Sequence, residues 1–291
     1  MTLALIQFRG EFRAGIRARR RYFDTEWLVF PARIPEKGDN MVFLTALGGN
    51  IGGQPELFEA ALRWLEQRGL RLCACSRLIR TAPVGSAAGG EFLNAAALLE
   101  GDLEPRQVLQ LFQQAETGSG RERTVRWGPR TLDLDLLLAD HHILNTAELI
   151  LPHPAMWYRD FVLRPAAEIA GELVHPLLGC SVQHLFERLQ ERPLRLRLVP
   201  DATPDAATEL SLPADFHQQL AAEVPAVEWL SAGEPGDVFA DVRLLTATIS
   251  QPPCSYPLPQ PASRTLTIYI WSTANAVDQL RQLCIAIGCT R

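Results

Sequence analysis

The run Leu132-Asp133-Leu134-Asp135-Leu136 alternates apolar and acidic residues. In a strand this puts Asp133 and Asp135 on one face, their Cα atoms roughly 6–7 Å apart. Two carboxylates held that way repel each other unless a cation sits between them. Hard divalent ions, above all Mg²⁺ carrying phosphates, meet that need with oxygen ligands. A bare Asp-x-Asp is more often a solvated strand face, but the neighbours change the reading. The Gly-containing stretch just before it carries Arg121, Arg123, Arg126 and Arg130, which beside two metal-binding carboxylates form a polyphosphate clamp. The competing reading pairs these arginines with Glu116, Glu122 and the aspartates themselves. A Gly-rich loop is a poor place to pin surface ion pairs of such small worth, so the clamp is preferred.

Composition narrows the chemistry further. Of the 28 basic residues only Lys37 is a lysine, and no glycine-rich phosphate loop precedes it. A P-loop is thereby excluded, and a Schiff-base enzyme would have to use that one isolated lysine. Phosphate handling falls to guanidinium forks, which are planar, bidentate and always charged. A net charge of -5 speaks against a dedicated nucleic-acid binder. The six cysteines form no C-x-x-C pair, so neither a zinc site nor a disulfide framework is expected. Cys73 and Cys75 are expected to share one strand face as small core residues. No run of eighteen apolar residues and no secretory leader is found, and reduced thiols fit a cytoplasmic chain with no membrane association.

The elements that must position these groups follow from periodicity. Hydrophobic residues make up 47% of the 291 and charged ones 21%, the balance of a packed globular protein. Residues 1–40 carry a net +3 and residues 201–291 a net -6 with nine prolines. The chain therefore divides into an N-terminal extension, 1–40, a compact domain, 41–192, and an accessory region, 201–291. Met41 is a candidate true start. Within the domain, Val42–Leu47 reads as a buried strand and Pro55–Gln67 as an amphipathic helix. Leu70–Ile79 and Phe92–Leu99 read as strands, Glu104–Glu116 as a second helix and Leu132–Leu138 as a fourth strand. The order βαββαβ predicts an α+β, ferredoxin-like sandwich with two helices on one face of an antiparallel sheet. Short helices are expected near Phe161–Ala170 and Ser181–Arg192. Strands at Val242–Ser250 and Thr265–Trp271, with a helix at Ala274–Ile287, predict a small C-terminal α+β region.

The run Arg126-Trp-Gly-Pro-Arg-Thr-Leu-Asp-Leu-Asp-Leu-Leu137 resembles the signature of the 6-hydroxymethyl-7,8-dihydropterin pyrophosphokinases of folate synthesis. The likeness continues in order through Leu47-Gly-Gly-Asn50, Thr81-Ala-Pro-Val-Gly85, Phe92-Leu-Asn94, Pro152-His153 and Arg159-Asp-Phe161, covering about residues 41–191. That resemblance implies transfer of pyrophosphate from ATP to the pterin alcohol, with AMP released. It makes Asp133 and Asp135 the ligands of two Mg²⁺ ions, and Arg121 and Arg130 the groups that stabilise the transferring charge. Gln113, Glu116, Arg123, His153 and Arg159 would lie on ATP. Phe92 and Phe161 would sandwich the pterin ring, with Thr81, Val84, Asn94 and Trp127 beside it. Taken alone, Trp127 reads equally as a core anchor or a lid residue, and His153 as a structural histidine. Gly49 stands where the family usually has serine and Phe92 where tyrosine is frequent, and the arginine loop is about one residue shorter than in well-known members.

Residues 201–291 offer no metal spacing, phosphate loop or nucleophile-base pair, so a role in stability or association is expected. They are too few for the barrel of a dihydropteroate synthase, to which such enzymes are sometimes fused. A monomer is expected, with self-association through this region as the alternative. Two rival readings stand beside this one. One is a catalytically inactive ATP- and pterin-binding scaffold. The other is a ferredoxin-like RNA-binding module, which would need exposed aromatics on two central strands beside basic residues. Neither Phe92–Leu99 nor Val42–Leu47 has that pattern.

Overall fold

The computed structural model describes residues 40–51, 54–83, 90–119, 131–191, 193–199, 227–230, 240–246, 266–272, 280 and 283–288. The N-terminal extension, apart from Asn40, lies outside them, as does the Pro-rich stretch 251–261.

Strand β1 (Met41–Gly49) leads to helix α1 (Gln54–Glu66), strands β2 (Arg71–Cys75), β3 (Ile79–Thr81) and β4 (Phe92–Gly101), helix α2 (Pro105–Gly118) and strand β5 (Asp133–Ala139). The sheet order is β2-β4-β1-β5, with β3 also paired to β4, and every pairing is antiparallel. This is the expected βαββαβ arrangement. Helix α2 begins where Pro105 fixes the first helical φ at no hydrogen-bond cost. Gln107 Oε1 turns back to accept the backbone N–H of Glu104 at 2.8 Å.

Alternation along the strands gives the sheet two buried faces. Phe43, Leu47, Ala95, Ala97, Leu99, Leu134 and Leu136 face α1 and α2, where Phe58, Leu62, Leu65, Val108, Phe112 and Ala115 complete one core. Burying each large side chain of this set stabilises the fold by about 1.5–3 kcal/mol. The opposite face carries Leu44, Ala46, Ala96, Leu98 and Leu138. It is covered by helices α3 (Asp160–Ala170) and α4 (Val182–Gln190), which supply Val162, Leu163, Ala166, Leu185 and Leu189. The short helices read from the sequence thus close the second core. A two-stranded ribbon, β6 (Leu144–Asn145) with β7 (Ile150–Leu151), and a 3₁₀ turn at Met156–Tyr158 link β5 to α3.

Two local expectations are corrected. Leu70–Ile79 is not one strand: it breaks at residues 76–78. There the backbone N–H of Ser76 donates to Ala96 O at 2.9 Å and its hydroxyl accepts from Ala96 N at 2.8 Å, which turns the chain between β2 and β3. Cys73 and Cys75 do not share a face either. The register of β2 on β4 slips between Leu72 and Ala74, and such a bulge breaks the alternation. Cys73 packs toward the α3 side and Cys75 toward the α1 side. Burial raises the thiol pKa of both, that of Cys73 to about 11. Inert thiols result.

The C-terminal strands form a second sheet: β8 (Leu194–Val199), β9 (Val227–Leu230), β10 (Ala240–Thr246) and β11 (Leu266–Ser272), in the order β11-β10-β8-β9 with all pairings parallel. Its strand β8 lies ahead of residue 201. Leu194 and Leu196 of β8, Val227 of β9, and Leu280, Leu283, Cys284 and Ile287 join the core formed by α3 and α4.

His175 sits buried in the turn between α3 and α4, its Nδ1 accepting the backbone N–H of Leu178 at 3.2 Å. Burial pushes its pKa down to about 4. The unfolded chain takes up that proton near pH 6.5. Between these values the folded state binds fewer protons, so stability is full above about pH 6.5 and falls as the pH drops toward about 4. A His175→Gln variant should be less stable at pH 7.5 yet lose stability less steeply, by about 1.4 kcal/mol per pH unit over that window. Urea unfolding at several pH values reads the slope, and an unaltered slope would refute the assignment.

Candidate active site

Asp133 and Asp135 open β5, half-buried, on the face turned away from α1 and α2. Alternation decides this, because Leu134 and Leu136 go into the first core. Across the sheet, Asp135 pairs with Ala46 and Asp133 with Gly48, while Gly48 pairs on its other side with Asn94. The residues beneath the two carboxylates are therefore small. A Cβ on Gly48 would stand 3.5 Å from Asn94 Oδ1 and 3.9 Å from Asp133 Cβ. Its absence leaves an open cradle between an amide and a carboxylate. Asn94 is itself fixed, donating from Nδ2 to Thr81 Oγ1 at 2.8 Å. Phe92, half-buried at the start of β4, pairs with Thr81 of β3.

Helix α2 supports β5 from beneath. Glu116, buried near its C-terminal end, accepts the backbone N–H of Leu134 at 3.0 Å. That bond fixes the peptide between the two aspartates. Glu116 thus acts on the strand that bears them, while Gln113, three residues earlier, is exposed. Beyond the helix, the hydroxyls of Ser119 and Thr131 lie 3.2 Å apart. The chain leaves at 120 and returns at 131 to one point, two residues before Asp133. Arg121, Arg123, Trp127 and Arg130 fall between those ends, and they lie outside the described residues, as does Val84.

His153 is placed by an irregularity of β5. Leu44 pairs with Leu138 and Thr45 with Leu136, so Leu137 is an extra residue in the ladder. A bulge leaves its extra peptide unpaired, and the carbonyl of Leu137 accepts the N–H of His153 at 2.9 Å. The imidazole Nδ1 in turn accepts from Ala155 N at 3.2 Å. An accepting Nδ1 belongs to a neutral ring with its proton on Nε2. The environment agrees: desolvation, then the positive charge of Arg159, hold the pKa of His153 at about 3 against the opposing pull of Asp133. His153 therefore lies within electrostatic reach of both Arg159 and Asp133.

Arg159 caps α3, its carbonyl accepting from Val162 N at 3.1 Å and Leu163 N at 2.9 Å. Its guanidinium carbon stands 5.8 Å from the Phe161 ring centroid, a cation–π contact. Phe161 is half-buried against the second core.

The structure thus brings Asp133, Asp135, Asn94, Thr81, His153, Arg159 and Phe161 to one face and one end of the sheet. Sequence reasoning missed Gly48 and Leu137. Gly48 was legible as part of Leu47-Gly-Gly-Asn50, whereas nothing local marks Leu137 as a bulge. Among the described residues no group of three metal-binding side chains occurs. A cation here would take its remaining ligands from water or a bound phosphate, which is how Mg²⁺ is usually held.

Residues 44–171 match the family described as 7,8-dihydro-6-hydroxymethylpterin-pyrophosphokinase (HPPK). A relative from Bacillus subtilis is 42% identical over 135 residues, 46% of this chain and 81% of that protein. Another from Pseudomonas aeruginosa is 42% identical over 149 residues, 51% of this chain and 90% of its own length. Both are named 2-amino-4-hydroxy-6-hydroxymethyldihydropteridine pyrophosphokinase. The folic acid synthesis protein fol1 of Pneumocystis carinii is 32% identical over 157 residues, which are 54% of this chain but only 21% of that protein.

Replacing Glu116 by alanine leaves the N–H of Leu134 without its carboxylate acceptor. The expected loss is about 1–3 kcal/mol of stability, and Glu116→Gln, which keeps an acceptor oxygen, should recover most of it. Urea midpoints of the two variants provide the check. Equal midpoints would show that the bond does not hold β5.

Proposed function

The chain belongs to the 7,8-dihydro-6-hydroxymethylpterin-pyrophosphokinase family, and from that membership we propose the roles of its site residues in moving pyrophosphate from ATP to the pterin alcohol. The enzyme is a pyrophosphokinase of folate synthesis with ATP as co-substrate. In the reaction the pterin hydroxymethyl oxygen bonds to the β-phosphorus of ATP, the bond from that phosphorus to the oxygen bridging to the α-phosphate breaks, and AMP leaves. No protein nucleophile is needed, so positioning and electrostatics must supply most of the rate.

The observation that carries the reading is the placement of Asp133 and Asp135 on one face of β5, above Ala46 and Gly48. Their carboxylates would hold Mg²⁺, two ions in our reading, with the hard oxygen donors that ion prefers. When bound, Mg²⁺ neutralises phosphate charge and activates the attacking hydroxyl. His153, neutral and with Nε2 left as donor, would give a hydrogen bond to a phosphate oxygen, and Arg159 a charged one. Glu116 keeps the aspartates in register from below. Phe161 and Phe92 would stack on the two faces of the pterin, with Asn94 and Thr81 as polar groups at its edge. Arg121, Arg123 and Arg130 would meet the phosphates from the segment whose ends close beside Asp133, with Trp127 and Val84 toward the pterin and Gln113 toward the nucleotide. The described helices include none long and apolar enough to cross a membrane. Our reading is of a cytoplasmic enzyme acting as a single chain.

Purified protein given ATP, Mg²⁺ and 6-hydroxymethyl-7,8-dihydropterin should form AMP in a pterin-dependent manner. Formation of ADP would sink the reading in favour of γ-phosphoryl transfer, and binding of ATP and Mg²⁺ without turnover would sink it in favour of an inactive scaffold. Asp135→Ala should lower kcat by at least about 10²–10³-fold. Because it removes one of two like charges, its melting midpoint should stay level or rise. Near-normal turnover in that variant would overturn the metal assignment.

A further inference from the structure

Asp160 stands between Arg159 and Phe161 at the first turn of α3, and it is 7% exposed. Its carboxylate accepts from Arg164 Nε at 3.0 Å and from the same guanidinium's terminal nitrogen at 2.8 and 2.9 Å. It also accepts from Gln190 Nε2, at the end of α4, at 2.7 Å. A third element reaches it from far along the chain. Gly288 has φ +78, and a Cβ there would lie 2.9 Å from Asp160 Cβ, 3.0 Å from its Cγ and 3.2 Å from its Oδ2. Only a glycine can sit this close with this backbone conformation. The turn that ends in Gly288 is anchored by Leu280, Leu283, Cys284 and Ile287, which pack in one core with Val162, Leu163 and Ala166 of α3.

The HPPK match ends at residue 171, so this contact joins the family domain to a segment well outside it. We propose that the C-terminal segment is a positioning element of the active site: seated through Gly288 on Asp160, it fixes the start of α3 and with it Arg159 and Phe161. The inference rests on the proposed roles of those two residues at the phosphates and the pterin ring. A segment that touches no substrate thereby sets substrate affinity. The catalytic carboxylates on β5 are held independently, by Glu116 and by pairing with β1, so the dependence should fall on KM and spare kcat.

The test uses the full-length chain, with kcat and KM measured separately for MgATP and for the pterin. Gly288→Ala should raise both KM values, on the order of tenfold, with kcat changed by less than about threefold. Gln190→Ala, which removes a different support of Asp160, should move KM the same way by a smaller factor. Glu228→Ala, which removes a surface ion pair with Arg195 in the second sheet, should leave both constants unchanged. Lowered melting midpoints in the first two variants with KM at the wild-type value would show a merely structural contact and overturn the proposal. If Gly288→Ala does not fold, the KM of Gln190→Ala decides by itself. A wild-type chain that forms no AMP would instead overturn the pyrophosphokinase reading, and this inference with it.

Discussion

Asp133 and Asp135 carry like charge on one face of one strand, and the surrounding fold is arranged to keep them there. Left to themselves, two carboxylates so placed would push the strand end apart or turn it toward solvent. Three constraints prevent that. Leu134 and Leu136 commit the other face to the core under α1 and α2. Pairing with Ala46 and Gly48 ties the strand to β1. Glu116 reaches up from α2 to hold the peptide between them. This third carboxylate faces a backbone donor from the opposite side of the sheet and acts as an anchor for the strand.

Much of this was legible in the residues. The alternation of Leu132–Leu136 gave the face of each aspartate without any coordinates, because a strand's period of two admits only one arrangement. The helices were legible for a similar reason, since Leu57, Ala61, Trp64 and Leu65 recur at helical spacing. What escaped were departures from regular pairing. The break at Ser76 and the bulges at Cys73 and Leu137 depend on which residue of a neighbouring strand lies opposite, and periodicity along one segment carries no such information. The bond from Glu116 to Leu134 is equally hidden, since it links residues 18 apart and depends on how α2 lies over β5.

The chain outside the family domain changes how the second core should be viewed. Helices α3 and α4 cover one face of the first sheet, and residues from β8, β9 and the C-terminal turn enter the same core. A buried interface of this kind resembles a domain interior more than a linker contact.

The bulge at Leu137 has a bearing on how the site tolerates change. Because the extra residue lies between the aspartates and the rest of β5, the two halves of that strand pair with β1 in different registers. Deleting one residue there would let the strand zip into a regular ladder. Leu138 and Ala139 would then keep their present partners, and so would Asp133 and Asp135, because the residue removed is the one that has no partner on β1. What is lost is the spare carbonyl that accepts the N–H of His153: a substitution at Leu137 is a packing change, whereas a single-codon deletion unseats the histidine. The length of β5, seven residues from Asp133 to Ala139, is therefore tied to the seat of the histidine and not to the face of the aspartates.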